Sequence, residues 1–203
     1  MIMELLHKDA DMVICLKPVG MDSEKQVPEA LQAILGGSIF PVHRLDQGVG
    51  GVMVYARTKA AAGKLSHLIQ EGKMEKKYVA LVHGTPPDSA VWEDLLFKDA
   101  IRNKVFVVQR KRAGVKEAKL EYTVLTPAEQ SLVKIRLHTG RSHQIRVQFA
   151  SRGFPLVGDH KYGARDSAAA PMLFSCEISF PWKGKTVCYQ ALPEWAKNED
   201  SVI

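Results

Sequence analysis

Cysteine is scarce in this 203-residue sequence, which contains only Cys15, Cys176 and Cys188. They are odd in number, far apart and never spaced as C-x-x-C, so neither a disulfide framework nor a zinc or thiol redox site is indicated. Each lies in an apolar run of strand type. This predicts three small buried side chains in a protein of the reducing cytosol.

Long apolar runs are also missing. No stretch approaches the roughly 18 residues that a membrane-spanning helix requires. Before residue 15 the apolar positions are interrupted by His7, Lys8, Asp9 and Asp11, unlike those of a signal peptide. We therefore expect a cytoplasmic protein without a membrane partner.

Several catalytic motifs are absent. Ser142 does not lie in the G-x-S-x-G turn of serine hydrolases, and the seven histidines include no H-E-x-x-H pair. Gly48, Gly50 and Gly51 do not complete the dinucleotide motif G-x-G-x-x-G, because Met53 occupies its last position. The sequence thus disfavours serine-hydrolase, metal-dependent and dinucleotide-dependent chemistry.

Basic residues outnumber acidic ones, with 28 Lys and Arg against 22 Asp and Glu and a formal net charge of +6. This balance favours a polyanionic partner, because basic side chains that bind a phosphate backbone release its condensed counterions. A basic soluble protein without such a partner is the alternative.

The hydrophobic pattern predicts more strands than helices. Apolar residues at helical spacing predict helices over 27–35, 58–72 and 142–152, the second capped by Thr58 and Gly72. Alternating or continuous β-branched and aromatic runs predict strands over 12–16, 52–57, 77–83, 105–108, 120–125, 132–138, 172–180 and 185–190. Strands that follow one another without a helix indicate an α+β fold with a mixed, largely antiparallel sheet, and residues 1–203 are expected to form one domain.

Two of these segments carry more detailed expectations. In the first helix, Ala30, Leu31, Ile34 and Leu35 are spaced as an apolar face. The alanine-rich segment 163–171 is expected to be the most mobile loop.

The most informative segment is the run His43-Arg44-Leu45-Asp46, followed by the glycine-rich Gln47-Gly48-Val49-Gly50-Gly51. It places one acidic side chain beside two basic ones at the start of an apolar strand. An ionised Asp46 could attack an electrophilic carbon there, since the glycines permit close approach of another backbone or of a ligand. An aspartate that caps a turn or pairs with Arg44 at the surface is the alternative.

Other basic segments could contact a nucleic acid. Tyr78 follows two lysines at the start of a strand, so its ring could stack on a base, although core packing fits equally well. The turn 140–146, with His143 and Gln144 among its candidate RNA-binding residues, suits recognition of a phosphate or fixation of a carboxylate, or is simply a solvated helix start. The cation-rich segment 102–112 fits either a nucleic-acid contact or a soluble edge.

Taken in order, these segments resemble the RluA-type family of RNA pseudouridine synthases. Lys17-Pro18-Val19-Gly20 is similar to the first motif of that family, and the Asp46 run with Gly51-Val52-Met53-Val54-Tyr55-Ala56-Arg57-Thr58 is similar to the second. Lys77-Tyr78-Val79-Ala80-Leu81-Val82-His83-Gly84 resembles its tyrosine strand. The third motif is matched from residue 140 through Gly158-Asp159-His160-Lys161-Tyr162-Gly163.

The resemblance implies an enzyme that detaches uracil from its ribose in RNA and rejoins it through C5, with neither a metal nor an organic cofactor. It implies the pseudouridine synthase fold, with a central catalytic cleft flanked by helices. Asp46 is then the catalytic aspartate, and Tyr78 stacks on the target base. Arg146 pairs with and orients Asp46, while Arg44 enters the RNA to help expel the target uridine.

Two segments depart from the family pattern. Val49-Gly50 stands where many members have Thr-Ser, and Met21-Asp22-Ser23-Glu24 replaces a stretch that is usually apolar and ends in His-Pro. Few residues precede Lys17, so we expect no separate S4-like RNA-binding domain.

The expected partner is ribosomal or transfer RNA rather than DNA. A monomer of the protein is sufficient to bind it. The main alternative is a catalytically silent RNA-binding or RNA-remodelling protein with the same basic cleft. A phosphate-ester enzyme using Asp46 is a weaker alternative, because the second carboxylate and metal ligands that such chemistry commonly recruits are not evident.

Overall fold

The computed structural model describes residues 3–197. Within them the helices are α1 (Gln26–Leu35), α2 (Lys59–Gln70) and α3 (Gln144–Ala150). The strands are β1 (Leu5–Lys8), β2 (Met12–Lys17), β3 (Phe40–Pro41), β4 (Gly50–Ala56), β5 (Glu75–His83), β6 (Ser89–Asp99), β7 (Lys104–Val108), β8 (Val115–Thr126), β9 (Gln130–Leu137), β10 (Leu173–Trp182) and β11 (Lys185–Gln190). The predicted α+β class, rich in strands, is confirmed.

The described chain divides into two compact units. Unit 1 contains residues 3–76 and 174–197, and unit 2 contains residues 77–173. Unit 1 is therefore assembled from two segments that are distant in sequence, whereas unit 2 is one continuous segment.

The sheet of unit 1 is mixed. β2 pairs antiparallel with both β1 and β4, and β3 adds antiparallel to β4. β10 pairs in parallel with β4, placing Phe174 beside Gly50 and Ser175 beside Gly51, and antiparallel with β11. Every residue of β4 is buried, as expected for a central strand that is covered on both faces.

Helix α2 covers one face of this sheet. Thr58 caps it as predicted, because its Oγ1 accepts a hydrogen bond from the Ala61 N–H at 3.1 Å. Ala61 and Leu65 are four residues apart and pack together with alternate residues of β2, β4 and β10. Complete burial of a leucine side chain contributes about 1.5–3 kcal/mol, so the amphipathic pattern stabilises this helix through its packing. Gly72 closes the turn with a φ of +68°.

Helix α1 lies where the sequence predicts it, but its apolar face is only partly as expected. Val27, Pro28 and Leu31 are buried, whereas Ile34 is 51% exposed. Ile34 shares a face with Leu31, so this face is covered near the middle of the helix and exposed near its end. Pro28 is tolerated because the first turn of a helix needs no donor from that residue.

Unit 2 contains an antiparallel sheet in the order β5, β9, β8, β6, β7. The sequence pattern does not predict β6, because its two buried residues, Trp92 and Leu96, lie four positions apart instead of two. The strand forms because it pairs along its length with β8, from Ser89 beside Thr123 to Phe97 beside Val115. Tertiary pairing here overrides a local pattern that resembles a helix.

Helix α3 packs on this sheet through Ile145 and Phe149, which are 4% and 0% exposed. The Phe149 ring lies 4.6 Å from the Trp92 ring and 5.1 Å from the Tyr122 ring, centroid to centroid. These aromatic contacts fix the helix, and so fix the direction of the side chains at its N-terminal end.

The alanine-rich loop 163–171 is anchored near its middle by Asp166. Its Oδ2 lies 2.7 Å from Nε2 of His83 and accepts a hydrogen bond from the Gly158 N–H at 2.9 Å. These hydrogen bonds hold the pKa of the Asp166 carboxyl well below its usual range. The mobility of this loop stays a prediction.

The expectation of three buried cysteines is wrong for one of them. Cys15 and Cys176 are buried, but Cys188 is exposed. Cys188 lies on β11, where the flanking Val187 and Tyr189 face the core and the residue between them faces outward. Across residues 3–197, none of the helices has the length and apolar character needed to cross a bilayer.

Candidate functional site

Asp46 lies in unit 1 on the loop between β3 and β4, and it is half-buried. The residue before it is fixed by Ser23: the Leu45 N–H donates to the Ser23 Oγ at 3.2 Å, and the Ser23 hydroxyl donates to the Leu45 carbonyl at 2.9 Å. The Tyr55 hydroxyl donates in turn to the Ser23 carbonyl at 2.8 Å. The chain on the N-terminal side of Asp46 is therefore tied to the core.

The residue after Asp46 is fixed as well. The Gly20 N–H donates to the Gln47 carbonyl at 2.8 Å, and the Gln47 side-chain amide donates to the Gly20 carbonyl at 2.8 Å. Nζ of Lys17 also donates to the Gln47 carbonyl at 3.2 Å. Asp46 is thus held between two anchored neighbours, which restricts the directions that its carboxylate can take.

Lys17 is 1% exposed and is the main polar anchor of this region. Besides Gln47, its Nζ donates to the carbonyls of Pro18 at 2.9 Å and Met21 at 2.8 Å, so that three carbonyls receive its three N–H groups. Burial lowers the pKa of Lys17 to about 8, although the negative charges of Asp22 and Asp46 act to raise it. Lys17 therefore links the first motif to the Asp46 loop by hydrogen bonds and by charge.

The two basic neighbours expected beside Asp46 differ in charge. Burial lowers the pKa of His43 well below its ordinary value, with a further contribution from the charge of Lys76, and its Nε2 accepts a hydrogen bond from the Val54 N–H at 3.2 Å. His43 is consequently a neutral structural residue, and its assignment as a second basic side chain is wrong. Arg44 is exposed, and its Nη1 lies 4.0 Å from a carboxylate oxygen of Glu24.

The glycines after Asp46 serve the approach of a neighbouring strand. Gly51 has a φ of +129°, and a Cβ there would lie 2.4 Å from the Ser175 carbonyl oxygen on β10. A Cβ at Gly50 would lie 3.2 Å from the Lys17 carbonyl oxygen. Of the two interpretations offered for these glycines, the approach of another backbone is the one this geometry supports.

In unit 2, Tyr78 lies on β5 opposite Ile135 of β9 and is 6% exposed. Burial at this level fits the packing interpretation of its ring. Stacking on a base stays a prediction.

Arg146 lies in α3 and forms a bidentate ion pair with Asp159. Its Nε donates to Oδ2 at 2.6 Å and its Nη2 to Oδ1 at 2.8 Å, while the two residues are 9% and 1% exposed. Two parallel charge-assisted hydrogen bonds fix the plane of a guanidinium as well as its position. The expected pairing of Arg146 with Asp46 stays a prediction.

His143 immediately precedes α3 in a left-handed conformation, with a φ of 50° and a ψ of 22°. Its Nδ1 lies 2.8 Å from the hydroxyl of Tyr162, and the Tyr162 ring lies 5.2 Å from the Arg146 guanidinium. His143 and Arg146 thus share one neighbour, as their spacing of three residues suggests.

Gln144 is 2% exposed, and its amide is bonded within the protein. Its Oε1 accepts hydrogen bonds from the Thr139 hydroxyl at 2.8 Å and the Arg141 N–H at 3.0 Å, and its Nε2 donates to the Lys119 carbonyl at 3.1 Å. Gln144 therefore holds the turn that leads into α3. Its contact with RNA stays a prediction.

A basic groove lies on the β6, β7 and β8 side of unit 2. It is lined by four cationic residues, one acidic residue and two apolar ones: Lys111, Arg112, Lys116, Arg141, Glu117, Leu95 and Val115.

Two of these cations are held in place. Nε of Arg141 donates to the Glu117 carbonyl at 2.8 Å, and the Arg112 guanidinium lies 4.6 Å above the Phe97 ring. Lys111 forms an ion pair with the Glu117 carboxylate. The groove therefore keeps a net positive charge, and Arg141 connects it to the turn that contains His143.

Sequence reasoning missed the roles of Ser23, Asp159 and Tyr162. Ser23 lies in a segment noted only for its departure from the family pattern. Asp159 follows Val157-Gly158 and precedes His160-Lys161, and a buried carboxylate requires a partner. That requirement could have indicated an arginine partner, but not which one.

These contacts define what each unit can do. In unit 1 a carboxylate is held on a fixed loop near a buried lysine, which suits a nucleophile or a base. In unit 2 a fixed guanidinium and an imidazole lie at the start of α3, and Arg141 of the preceding turn lines the basic groove, which suits binding of a phosphate or a polarised carbonyl.

Comparison with known proteins identifies the family. The model of a family described as RNA pseudouridylate synthase matches residues 5–151. An uncharacterized RNA pseudouridine synthase of Aquifex aeolicus is 36% identical over 190 residues, covering 84% of this chain and 59% of that protein. A tRNA pseudouridine synthase C of Vibrio parahaemolyticus is 32% identical over 184 residues, covering 79% of this chain and 74% of that protein.

Other relatives are matched over less of their length. A ribosomal large subunit pseudouridine synthase C of Buchnera aphidicola is 41% identical over 131 residues, covering 62% of this chain and 40% of that protein. Four of the relatives, including this one and the Aquifex protein, are longer than the matched region, and the chain spans only 40% to 60% of their length.

Solved structures agree on the fold. Human RNA Pseudouridylate Synthase Domain Containing 4 superposes with a TM-score of 0.80 at 24% identity, covering 95% of this chain and 89% of that one. Human RNA Pseudouridylate Synthase Domain Containing 1 superposes with a TM-score of 0.85 at 21% identity, covering 98% and 87%. With the family match over residues 5–151 and the four ordered motifs, these findings show that the chain belongs to the RluA-type family of RNA pseudouridylate synthases.

Proposed function

We propose that this protein is an RNA pseudouridine synthase in which Asp46 is the catalytic carboxylate. In the reaction the bond between N1 of uracil and C1′ of ribose breaks, and a bond between C5 and C1′ forms. The proton on C5 leaves and N1 gains one, so substrate and product are isomers. A carboxylate can act by attack on C1′, by addition to C6 of the ring or as a base.

The observation that carries the proposal is the anchoring of the Asp46 loop. Leu45 is bound to Ser23, and Gln47 is bound to Gly20 and Lys17. A surface aspartate that only caps a turn needs no such anchoring on both sides. A nucleophile does, because small displacements of a reacting group reduce the rate strongly.

We propose the remaining roles from the family resemblance. Tyr78 stacks on the target base, Arg146 orients the catalytic carboxylate, and Arg44 enters the RNA. From the composition of the 140–146 turn, and not from the resemblance, we propose that His143 and Gln144 contact the RNA. We also propose that residues 1–203 act as one catalytic domain.

We propose that the substrate is ribosomal or transfer RNA and not DNA. We also propose that the protein acts in the cytoplasm. Relatives carry names for both kinds of RNA, so the choice between them is open to experiment. We further propose that RNA phosphates flanking the target lie in the basic groove of unit 2, because it presents four exposed cations against one acid. A monomer suffices for these roles.

The test compares the wild type with Asp46→Asn, using release of tritium from RNA that contains 5-tritiated uridine. The variant keeps the shape of the side chain but removes the charge, so we expect loss of tritium release with RNA affinity retained. Asp88→Asn is a matched control, because Asp88 is exposed and its backbone carbonyl, not its side chain, accepts from the Val124 N–H.

The outcomes distinguish the alternatives. Equal tritium release by Asp46→Asn and the wild type would show that Asp46 is not the catalytic carboxylate. Salt-dependent RNA binding by a wild type that releases no tritium from ribosomal or transfer RNA would support the silent RNA-binding protein instead.

A further inference from the structure

We propose that Tyr162 is a positioning residue that sets the proton position on His143 and fixes the plane of Arg146. The proposal rests on the proposed function for its effect on catalysis. Its geometric part stands on contacts within unit 2.

The Tyr162 hydroxyl lies between two nitrogen atoms. The backbone N–H of Val105 points at the phenol oxygen and donates to it at 2.9 Å, and Nδ1 of His143 lies 2.8 Å from the same oxygen. The oxygen accepts from Val105 and keeps its own proton, which we place in the hydrogen bond to Nδ1. An Nδ1 that accepts this hydrogen bond must be unprotonated, and a neutral imidazole then carries its proton on Nε2.

The backbone conformation of His143 helps to fix which edge of its imidazole faces Tyr162. A histidine at a φ of 50° is in the left-handed region, which residues with a Cβ adopt at a cost. The Tyr162 ring meets the imidazole edge to face, at 5.7 Å and 88°. The strained backbone and the ring contact together direct one edge of the imidazole at Tyr162, so the Nε2 edge points away from it.

The same ring also borders Arg146. The guanidinium carbon lies 5.2 Å from the Tyr162 centroid, within the range of cation–π attraction, while Asp159 accepts two hydrogen bonds along one edge of the guanidinium. Asp159 limits rotation of the guanidinium in its own plane, and the ring limits tilting out of it. Arg146 is therefore constrained in two independent ways.

The local chain explains why these two residues act together. Residues 160–162 form a 3-10 turn in which the Tyr162 N–H donates to the Asp159 carbonyl at 3.0 Å. The turn places Asp159 and Tyr162 three residues apart, where a 3-10 helix brings side chains to the same face. The Tyr162 ring also packs against the cluster of Leu96, Val105, Ala118 and Val147. The ring of Tyr162 is thus packed in the core, and its hydroxyl is positioned to form hydrogen bonds with Val105 and His143.

The consequence is a preset hydrogen-bond donor. His143 with its proton on Nε2 can donate to a carbonyl or phosphate oxygen of the RNA substrate without first changing its tautomer. A site whose donors are already oriented does not lose free energy to reorientation during the reaction.

The decisive variant is Tyr162→Phe, which removes the hydroxyl but keeps the ring beside Arg146. We expect kcat to fall about tenfold with little change in KM, because the deleted hydrogen bond orients His143 rather than binding RNA directly. The second readout is the tautomer of His143, measured from the 15N shifts of its ring nitrogens by NMR. The wild type is expected to show the proton on Nε2, and Tyr162→Phe a mixture of both tautomers.

Tyr122→Phe is the matched control. The Tyr122 hydroxyl is buried without a hydrogen-bond partner among the described residues, so its removal should change neither kcat nor the His143 signals. Thermal unfolding of both variants separates a local effect from a loss of stability.

The two proposals can fail separately. If Tyr162→Phe leaves the His143 tautomer and kcat as in the wild type, the role of Tyr162 is refuted. The NMR readout does not require turnover, so a wild type that releases no tritium refutes the proposed function while the tautomer measurement still decides this one.

Discussion

Ser23 and Leu45 exchange two hydrogen bonds across 22 residues of sequence, with the serine hydroxyl both accepting from the Leu45 N–H and donating to its carbonyl. Ser23 is 3% exposed. It lies in the segment that departs from the usual family pattern, and its contact shows what this segment supplies instead: a polar anchor for the residue before Asp46.

Replacing Ser23 with Ala should therefore loosen the Asp46 loop. We expect a loss of about 1–3 kcal/mol in the free energy of unfolding, because the Leu45 N–H and carbonyl are left buried without this partner. The kcat for tritium release should fall more than RNA affinity does. Ser38→Ala, at an exposed position of unit 1, is the control and should match the wild type in denaturant unfolding and in kcat. A Ser23→Ala protein with wild-type kcat would show that the anchor is dispensable.

Lys17 should give the protein a pH dependence above neutrality. The pKa of Lys17 is about 8 in the folded chain against an ordinary value of 10.5. Between pH 8 and pH 10.5, therefore, Lys17 is protonated in the unfolded chain and has lost its proton in the folded chain. The contribution of Lys17 to the free energy of unfolding therefore rises with pH in this window, by at most about 1.4 kcal/mol per pH unit. Over the same range kcat should fall, because a neutral amine has two N–H groups for three carbonyls.

Lys17→Met tests this assignment. It should remove both the rise in unfolding free energy and the fall in kcat between pH 8 and 10.5, and lower kcat below pH 8. Lys64→Met, at an exposed position of α2, should leave both pH profiles unchanged. Persistence of the wild-type profiles in Lys17→Met would assign them to another group.

Two glycine-to-alanine substitutions in unit 1 should have opposite effects. Gly51→Ala should destabilise strongly, since its Cβ would lie 2.4 Å from the Ser175 carbonyl oxygen at a φ of +129°. Gly63→Ala should stabilise by about 0.5–1 kcal/mol, because Gly63 is exposed within α2 and a Cβ there meets no atom within 4 Å. Urea unfolding of both variants checks the pair, and similar midpoints would contradict the close approach of β4 and β10.

The basic groove should appear in the salt dependence of RNA binding. Lys111→Gln with Arg112→Gln should weaken binding and reduce the slope of log K against log salt by roughly 0.7–0.9 for each RNA phosphate that these cations neutralise in the wild type. The kcat should be retained, since these residues lie outside the turn that leads into α3. Lys59→Gln with Lys64→Gln, which removes the same charge from α2, is the matched control. Equal slopes for the two double variants would leave the groove without a specific role.

The fold was predictable where local pattern and tertiary packing agree. In α2, the Thr58 cap, the spacing of Ala61 and Leu65 and the closing Gly72 all indicate the same helix, and the structure confirms it. In β6, Trp92 and Leu96 are spaced as on a helix, and only pairing with β8 makes the segment a strand. Cys188 looked buried because its strand is apolar, but the alternation along β11 turns it outward.

Residues of the candidate site could be proposed from the sequence more readily than their contacts. Asp46, Tyr78 and Arg146 could be singled out because the motifs around them are contiguous in sequence. The contacts that position such residues join distant segments, as Lys17 joins Gln47 across 30 residues, and no local pattern indicates them. The charge of His43 could not be predicted either, because it depends on burial by parts of the chain that a sequence motif does not include.

The division of unit 1 between two distant segments bears on how the protein can be shortened. A truncation at residue 151, where the family match ends, would delete β10 and β11 and strip β4 of its parallel neighbour. The backbone of Gly50 and Gly51 would then offer unsatisfied hydrogen-bonding groups to any strand that meets it. Such a fragment would keep the Asp46 and Tyr78 segments, would lose the part of the third motif that follows residue 151, and would be prone to self-association, so the strand that follows the Asp46 loop depends on a C-terminal segment with few recognisable residues.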